Sequence, residues 1–245
     1  MKMIKAALCA NVALFFSSLA LANDAQPTPL HAPVEKIFTV RGFDDNDYVE
    51  IVAYGKLPST CHKIADASAT IDHDTKEVLV TVNALRYEQQ ICLPVEIPYF
   101  KVIKLGIMEK GTYNVTAVDN TIKKTALTVV SSVSNGQDDF LYAPVKSIYE
   151  TATAKIEGSD TQGMTVHIKG KFPLLLHGCM EIKEVKDYYT PEDVIVVLPI
   201  AVIKENCTKN NRDFDIQHQI NYKLELPTLI HVRSMSGDAV NQVVE

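Results

Sequence analysis

The chain has 245 residues, is 47% hydrophobic, and carries 24 Lys and Arg against 30 Asp and Glu with no tryptophan. No basic block with interleaved aromatics occurs, and an acidic chain lacks the clustered positive charge that nucleic acid or an anionic membrane surface requires. Both partner classes are set aside.

Residues 1–22 read as an export signal. Lys2 and Lys5 give the positive start, Ala6 to Leu14 the apolar stretch, and Ala20-Leu21-Ala22 the small-x-small cleavage site before Asn23. The apolar run is shorter than the ~20 residues of a spanning helix. Removal of the signal takes Cys9 and two lysines, leaving 22 basic against 30 acidic residues, a net charge of −8. The expected setting is periplasmic or secreted, with no insertion in a membrane. Residues 23–32 (Asn-Asp-Ala-Gln-Pro-Thr-Pro-Leu-His-Ala) read as a short flexible leader.

From residue 33 the chain is dominated by short β-branched runs at strand period: Tyr48–Ala53, Glu77–Val82, Lys101–Leu105, Thr112–Thr116 and Ala126–Val130. Asp44-Asp45-Asn46-Asp47, Asp72-His73-Asp74 and Glu109-Lys110-Gly111 separate them as turns. Ser131 to Asp139 reads as a polar linker. Beyond it come Met164–Ile168, Val194–Leu198, Tyr222–Leu226 and Thr228–Val232. No window holds a 3.6-period apolar stripe of helical length. About seven short strands in ~100 residues is the pattern of an antiparallel sandwich.

The second half repeats the first. His31-Ala32-Pro33-Val34-Glu35-Lys36-Ile37-Phe38 recurs as Tyr142-Ala143-Pro144-Val145-Lys146-Ser147-Ile148-Tyr149, an offset of 111 from Pro33 to Pro144. Gly55-Lys56-Leu57-Pro58 recurs as Gly170-Lys171-Phe172-Pro173, and each copy is followed by two cysteines: Cys61 and Cys92, then Cys179 and Cys207. Four landmarks in one order imply tandem domains, expected at 33–130 and 142–245 with a linker at 131–141. The period is that of a small domain rather than a solenoid unit. Four cysteines permit three pairings. Duplication selects one bridge per repeat, Cys61–Cys92 and Cys179–Cys207.

Gly-Lys-Leu-Pro-x-x-Cys after a strand, a later cysteine, and the closing Gly111-Thr112-Tyr113-Asn114-Val115 resemble immunoglobulin-like modules of exported bacterial proteins. The resemblance covers most of the first repeat. It is looser in the second, where Gly237 opens a divergent Gly-Asp-Ala-Val-Asn. It implies a sandwich fold with one disulfide per domain and an exported setting, and it transfers no active site.

No Gly-x-Ser-x-Gly, His-Glu-x-x-His or phosphate-cradling glycine loop is present. The seven histidines (31, 62, 73, 167, 177, 218, 231) share no ligand spacing between the repeats and read as surface or strand residues. No cofactor or metal is expected. Asp44–Asp47 offers hard oxygen ligands of the kind calcium takes, but it lacks the glycine and distal glutamate of an EF-hand loop, and short Asp/Asn runs are the commonest turns between strands, so it reads first as a turn.

The copies differ in two places, and duplicated domains diverge in their functional loops. Pro58 and Cys61 are three positions apart, whereas Pro173 and Cys179 are six, the addition falling in Leu174-Leu175-Leu176-His177-Gly178. Cys92 to Gly111 is 19 positions and Cys207 to Gly237 is 30, the excess falling in Thr208–His218. Leu174, Leu175 and Leu176 are candidates for an apolar binding anchor, with Arg212, Asp213 and Phe214 as a polar rim bearing one aromatic. Against this, the leucines read as packing against the other domain and the polar stretch as a longer hairpin.

The expected function is that of an exported, non-enzymatic, two-domain binding protein whose partner is another protein or an envelope macromolecule. The alternatives are a secreted or periplasmic hydrolase inhibitor, a periplasmic assembly chaperone, and an enzyme with an interdomain site.

Overall fold

The computed structural model describes residues 26–88, 91–118, 124–132, 140–155, 162–176, 178–205, 207 and 212–245. The export signal expected at 1–22, most of the expected linker and His177 lie outside the described residues.

The described residues are built almost wholly of strands. In the first half these are β1 (Thr28–His31), β2 (Lys36–Thr39), β3 (Phe43–Asp44), β4 (Tyr48–Leu57), β5 (His62–Asp72), β6 (Glu77–Arg86), β7 (Ile97–Ile107), β8 (Gly111–Ala117) and β9 (Thr125–Val130). In the second they are β10 (Val145–Lys155), β11 (Gln162–Lys171), β12 (Met180–Thr190), β13 (Val194–Ile203), β14 (Asp213–Ile220), β15 (Thr228–Arg233) and β16 (Ala239–Val244). Among the described residues a single 3-10 turn, Met235–Gly237, joins β15 to β16.

Four sheets result. Sheet I runs β5-β6-β8-β9, with β1 sharing an edge of β6 and β3 lying beside β9; sheet II is β2-β4-β7. Sheet III is β12-β13-β15-β16 and sheet IV is β10-β11-β14. The two halves therefore have one topology. β2-β4-β7 recurs as β10-β11-β14, and β5-β6-β8-β9 recurs as β12-β13-β15-β16. Each half is a β-sandwich with its own disulfide, Cys61–Cys92 in the first and Cys179–Cys207 in the second.

Two features depart from the sequence reading. Pairing is antiparallel except for β6 with β8, β13 with β15, and β3 with β9, which are parallel. In the first two cases one strand of the facing sheet intervenes in the chain (β7 or β14), so the returning strand runs the same way as the one it joins. The expected flexible leader is also partly ordered. Thr28–His31 pairs with Asn83–Arg86, taking up the part of the β6 edge that β8 leaves open.

The repeated landmarks meet each other in space. Glu35 N–H donates to the Tyr54 carbonyl at 2.9 Å, bringing Ala32-Pro33-Val34 alongside Gly55. Lys171 N–H donates to the Pro144 carbonyl at 3.2 Å, placing the second copy of the motif against Gly170.

The sandwiches are not separate bodies. β13 reads Val-Ile-Val-Val-Leu-Pro-Ile-Ala and is buried on both faces. Val194, Val196, Leu198 and Ile200 join a core that includes Ile37, Phe38, Val52 and Tyr54 of the first domain, whereas Ile195 and Val197 join Val166, Ile168 and Ile220 of the second. β15 divides likewise, with Leu229 in the first core and Ile230 and Val232 in the second. Sheet III thus lies between sheets II and IV, and the four sheets stack in one pile.

Polar contacts rim the seam between sheets II and III. Lys36 Nζ reaches Asp193 at 2.6 Å and the Pro227 carbonyl at 2.8 Å. Arg41 grips Glu192 with two bonds, at 2.8 and 2.6 Å, and Tyr54 donates to the Glu245 carboxylate at 2.5 Å.

Candidate functional site

The loop from Pro173 to Cys179 leaves β11 and enters β12 at one end of the second sandwich. Leu176 N–H donates to the Pro173 carbonyl at 3.0 Å, and the Leu176 carbonyl accepts from Cys179 and Met180 N–H, each at 3.0 Å. The Cys179–Cys207 bridge fastens the far side of this turn. Leu174 and Leu175 project from it, 63% and 92% exposed.

Leu176 does not project with them. It is half-buried against a small core of Ala143, Phe172, Met180 and Ala201, because the turn folds its side chain under the loop. The expected run of three apolar anchors is therefore two exposed leucines on one half-buried foot.

The second divergent stretch arrives at the same end. Phe172 N–H donates to the Arg212 carbonyl at 2.9 Å, and the Arg212 guanidinium returns two bonds of 3.3 Å to the Phe172 carbonyl. Asp213 is exposed and pairs with Lys171 at 3.1 Å. Phe214, expected in the rim, is half-buried. Its ring lies 5.0 Å from that of Phe172 and fills the space over Gly170. Leu174, Leu175, Arg212 and Asp213 thus share one end of the molecule, whereas Leu176 and Phe214 pack beneath it.

Asp44–Asp47 is a self-bonded turn. Asn46 N–H donates to Asp44 Oδ1 at 3.0 Å, Asp44 N–H to Asp47 Oδ2 at 3.1 Å, and Ser132 N–H to Asp45 Oδ1 at 2.8 Å. The hydrogen bond from Ser132 holds the Asp45 carboxyl below its usual range. These carboxylates are turned onto backbone N–H groups, and no group of three His, Cys, Asp or Glu among the described residues is placed to hold a metal.

A second polar constellation lies in the interdomain seam, on residues that the sequence did not single out as a site; His231 reads there as a surface or strand histidine. His231 and Arg233 alternate with Ile230 and Val232 along β15, so they point away from the second core and towards the first domain. The neutral His231 ring donates from Nδ1 to Asn241 Oδ1 at 2.8 Å, and Asn241 Nδ2 donates to Glu50 Oε1 at 2.6 Å. Burial drives the His231 pKa down to about 3, helped by the positive Arg233, while burial raises that of Glu50. Arg233 donates to the Gly42 carbonyl at 2.7 Å and lies 4.7 Å over the Phe43 ring. A cavity of about 220 Å³ opens beside this cluster, lined by both domains. Ser234 is not available to it as a nucleophile, because its hydroxyl accepts from Val145 N–H at 2.9 Å and faces the Val145 and Ala143 carbonyls. A histidine and an arginine at alternate positions of an otherwise apolar strand were the signal for this cluster in the sequence.

Residues 51–129 match the family model of the ORF11 beta-sandwich domain. The match spans β4 to β9, the greater part of the first sandwich, and stops short of the second. No curated protein and no solved structure matches the chain. Among the described residues no helix is long and apolar enough to cross a membrane.

Proposed function

We propose that the protein is an exported, non-enzymatic binding protein that presents the Pro173–Cys179 loop to another protein or envelope macromolecule, in the periplasm or outside the cell. The observation that carries this reading is the exposure of Leu174 and Leu175 on a turn closed by three backbone hydrogen bonds and a disulfide. Apolar side chains presented by a turn whose backbone is tied by hydrogen bonds lose less entropy on binding, and a central apolar contact ringed by polar groups is how interfaces concentrate their energy. Arg212 and Asp213 provide that polar surround at the same end.

Both disulfides suit an oxidising compartment, where such bonds persist. The tandem sandwiches accord with the immunoglobulin-like modules of exported bacterial proteins that the first repeat resembles. A second reading, inhibition of a hydrolase, draws on the same loop, since a tethered, exposed turn is what a slowly cleaved inhibitor offers to a protease.

The test is capture of partners from envelope and culture fractions by the wild-type chain and by Leu175→Asp. The substitution is expected to reduce capture at least tenfold with the melting temperature nearly unchanged. Undiminished capture, or a large fall in melting temperature, overturns the reading. Protease panels assayed with both forms separate inhibition from simple binding.

A further inference from the structure

The last strand of each half is uncharged, and the two halves treat its edge differently. β9 reads Thr-Ala-Leu-Thr-Val-Val, and its end is covered by β3, with Phe43 beside Val129 and Asp44 beside Val130. This cover exists because the chain leaves sheet II after Thr39 and crosses to sheet I. β10, the counterpart of β2, instead stays with β11 from Val145 to Lys155. No described strand therefore stands on the far side of β16, which pairs with β15 alone.

Parity fixes which backbone groups this edge presents. Ser234 N–H donates to the Asp238 carbonyl at 2.8 Å, and Leu229 N–H donates to the Asp193 carbonyl at 3.0 Å. Even positions of β15 thus face β16, and odd positions face β13. Across the register, Val240, Gln242 and Val244 turn their N–H and C=O groups inward, whereas Ala239, Asn241 and Val243 turn theirs outward. The outward groups have no partner among the described residues.

Free N–H and C=O groups template pairing with another chain, so open edges are usually blunted by charge, proline or a bulge. β5, β7, β10, β12 and β14 each carry two or more charged residues. β16 reads Ala-Val-Asn-Gln-Val-Val, and its register with β15 runs without a shift.

The edge lies in a trough. Phe100, Val102 and Lys104 share the face of β7 turned towards it, and Lys104 reaches Asp238 at 3.5 Å. Phe100 and Val102 are 40% and 38% exposed there. On the other side, from β10, the Glu150 carboxylate accepts from Gln242. Beside the last residues of β16, the end at which β3 covers β9, is a cavity of about 430 Å³. Tyr54, Pro98, Phe100, Glu150, Val243 and Glu245 line it.

Charge selects the occupant. Glu150 and Glu245 are bonded to Gln242 and Tyr54, and neither meets a lysine or arginine among the described residues. Burial raises the pKa of the Tyr54 hydroxyl, and the negative charge of Glu245 and Glu35 raises it further. Lys56, on the same face of β4 as Tyr54, is already paired with Glu96 at 3.6 Å. β16 of a second copy carries no cation of its own to meet these carboxylates.

We propose that the open edge of β16 receives an extended, basic segment of a partner protein as a fifth strand of sheet III. Its apolar side chains lie on Phe100 and Val102, and lysine or arginine at the intervening positions reaches Glu150. Main-chain hydrogen bonds to Ala239, Asn241 and Val243 supply affinity, and the two walls of the trough read alternate side chains.

The experiment titrates the full chain with the peptide acetyl-Thr-Val-Lys-Val-Lys-Val-Thr-amide and with two relatives. One relative has glutamate for both lysines, and the other is N-methylated at its three central residues. In the free chain, the amides of Ala239, Asn241 and Val243 are expected to exchange hydrogen at least tenfold faster than those of Val240, Gln242 and Val244. The lysine peptide is expected to slow the outward amides at least tenfold, and the relatives to leave them unchanged. Glu150→Lys is expected to weaken binding of the lysine peptide at least tenfold. Leu175→Asp is expected to leave it unchanged, which separates this edge from the loop. Should Glu150→Lys fail to fold, the three peptides decide on the wild-type chain. Protection of the outward amides in the free chain overturns the proposal, and sedimentation as a dimer then assigns the edge to a second copy. A lysine peptide without effect at millimolar concentration overturns it too, as does an equal effect of either relative.

Discussion

The carbonyl oxygen of Pro33 occupies the space into which a side chain on Gly55 would grow, and Pro144 stands in the same relation to Gly170. Two of the repeated landmarks, Ala-Pro-Val and Gly-Lys-x-Pro, are thus two sides of one contact, made once in each sandwich. A Cβ on Gly55 would also lie 2.9 Å from the Tyr99 hydroxyl, and one on Gly170 would lie 2.7 Å from Phe214 Cε1. Neither glycine is required by a left-handed backbone; both are required by closeness.

Gly55→Ala and Gly170→Ala are each expected to destabilise by about 1–3 kcal/mol or more, the usual range for overpacking. Replacing the facing ring by Phe214→Leu is not expected to rescue Gly170→Ala, because the obstruction includes the Pro144 backbone carbonyl that the sheet holds in place. Urea unfolding of the single and double variants checks both statements. Rescue by the smaller side chain would show that Phe214 alone sets the clearance.

The same contacts explain what the sequence made legible. Landmarks that touch one another diverge slowly after duplication, so Pro33 with Gly55, and one cysteine pair per copy, remained readable as spacing. Strand existence was readable in β6 because Val78, Val80 and Val82 sit at buried positions of period two. Pairing partners were not, since nothing local in Glu77–Val80 names β8, four residues of which lie beside it in parallel. The interdomain seam escaped for a related reason. Val194 to Leu198 is apolar without alternation, which marks a strand covered on both faces but not which neighbour covers it. Leu174 and Leu176 show the corresponding limit at the loop, because a turn decides within three residues which side chain is exposed and which is folded under.

Burial of β13 on both faces makes the seam part of the core of each sandwich. Leu229, fully buried and facing the first domain, is expected to cost about 2–5 kcal/mol on truncation to alanine. Calorimetry is expected to show one unfolding transition in the wild type and one, shifted down as a whole, in Leu229→Ala. Two resolved transitions, only one of them moving, would mean that the sandwiches unfold independently.

The two bridges close loops of similar length, with sequence separations of 31 and 28. In the chain-entropy description each contributes about 3–4 kcal/mol. Paired substitution of Cys61 and Cys92 by serine is expected to lower stability without affecting partner capture. The same change at Cys179 and Cys207 is expected to lower both, because Cys179 ends the loop that presents Leu174 and Leu175. Peptide mapping under non-reducing conditions checks the pairing itself, and equal capture by both double variants would detach the disulfide from binding.

Acid sensitivity is expected to centre on His231. Its folded pKa, about 3, lies below the ordinary histidine value of 6.5, so between these limits the unfolded chain binds a proton that the folded chain refuses. Stability is therefore fully present above pH 6.5 and falls as the pH drops, by about 1.4 kcal/mol per unit for one proton. Glu50 opposes this. Burial raises its folded pKa above the ordinary 4.5, so the folded chain takes up that proton first, and stability is gained as the pH falls through the raised value towards 4.5. The groups facing His231 are Glu50 on β4, Arg233 on its own strand, Asn241 on β16 and the edge of Phe43 on β3. Urea unfolding from pH 8 to pH 4.5 is expected to show a slope approaching one excess proton below pH 6.5 in Glu50→Gln, a shallower acid loss in the wild type, where uptake by Glu50 offsets part of it, and no such loss in His231→Phe. A His231→Phe profile parallel to the wild type would place the acid-sensitive group elsewhere.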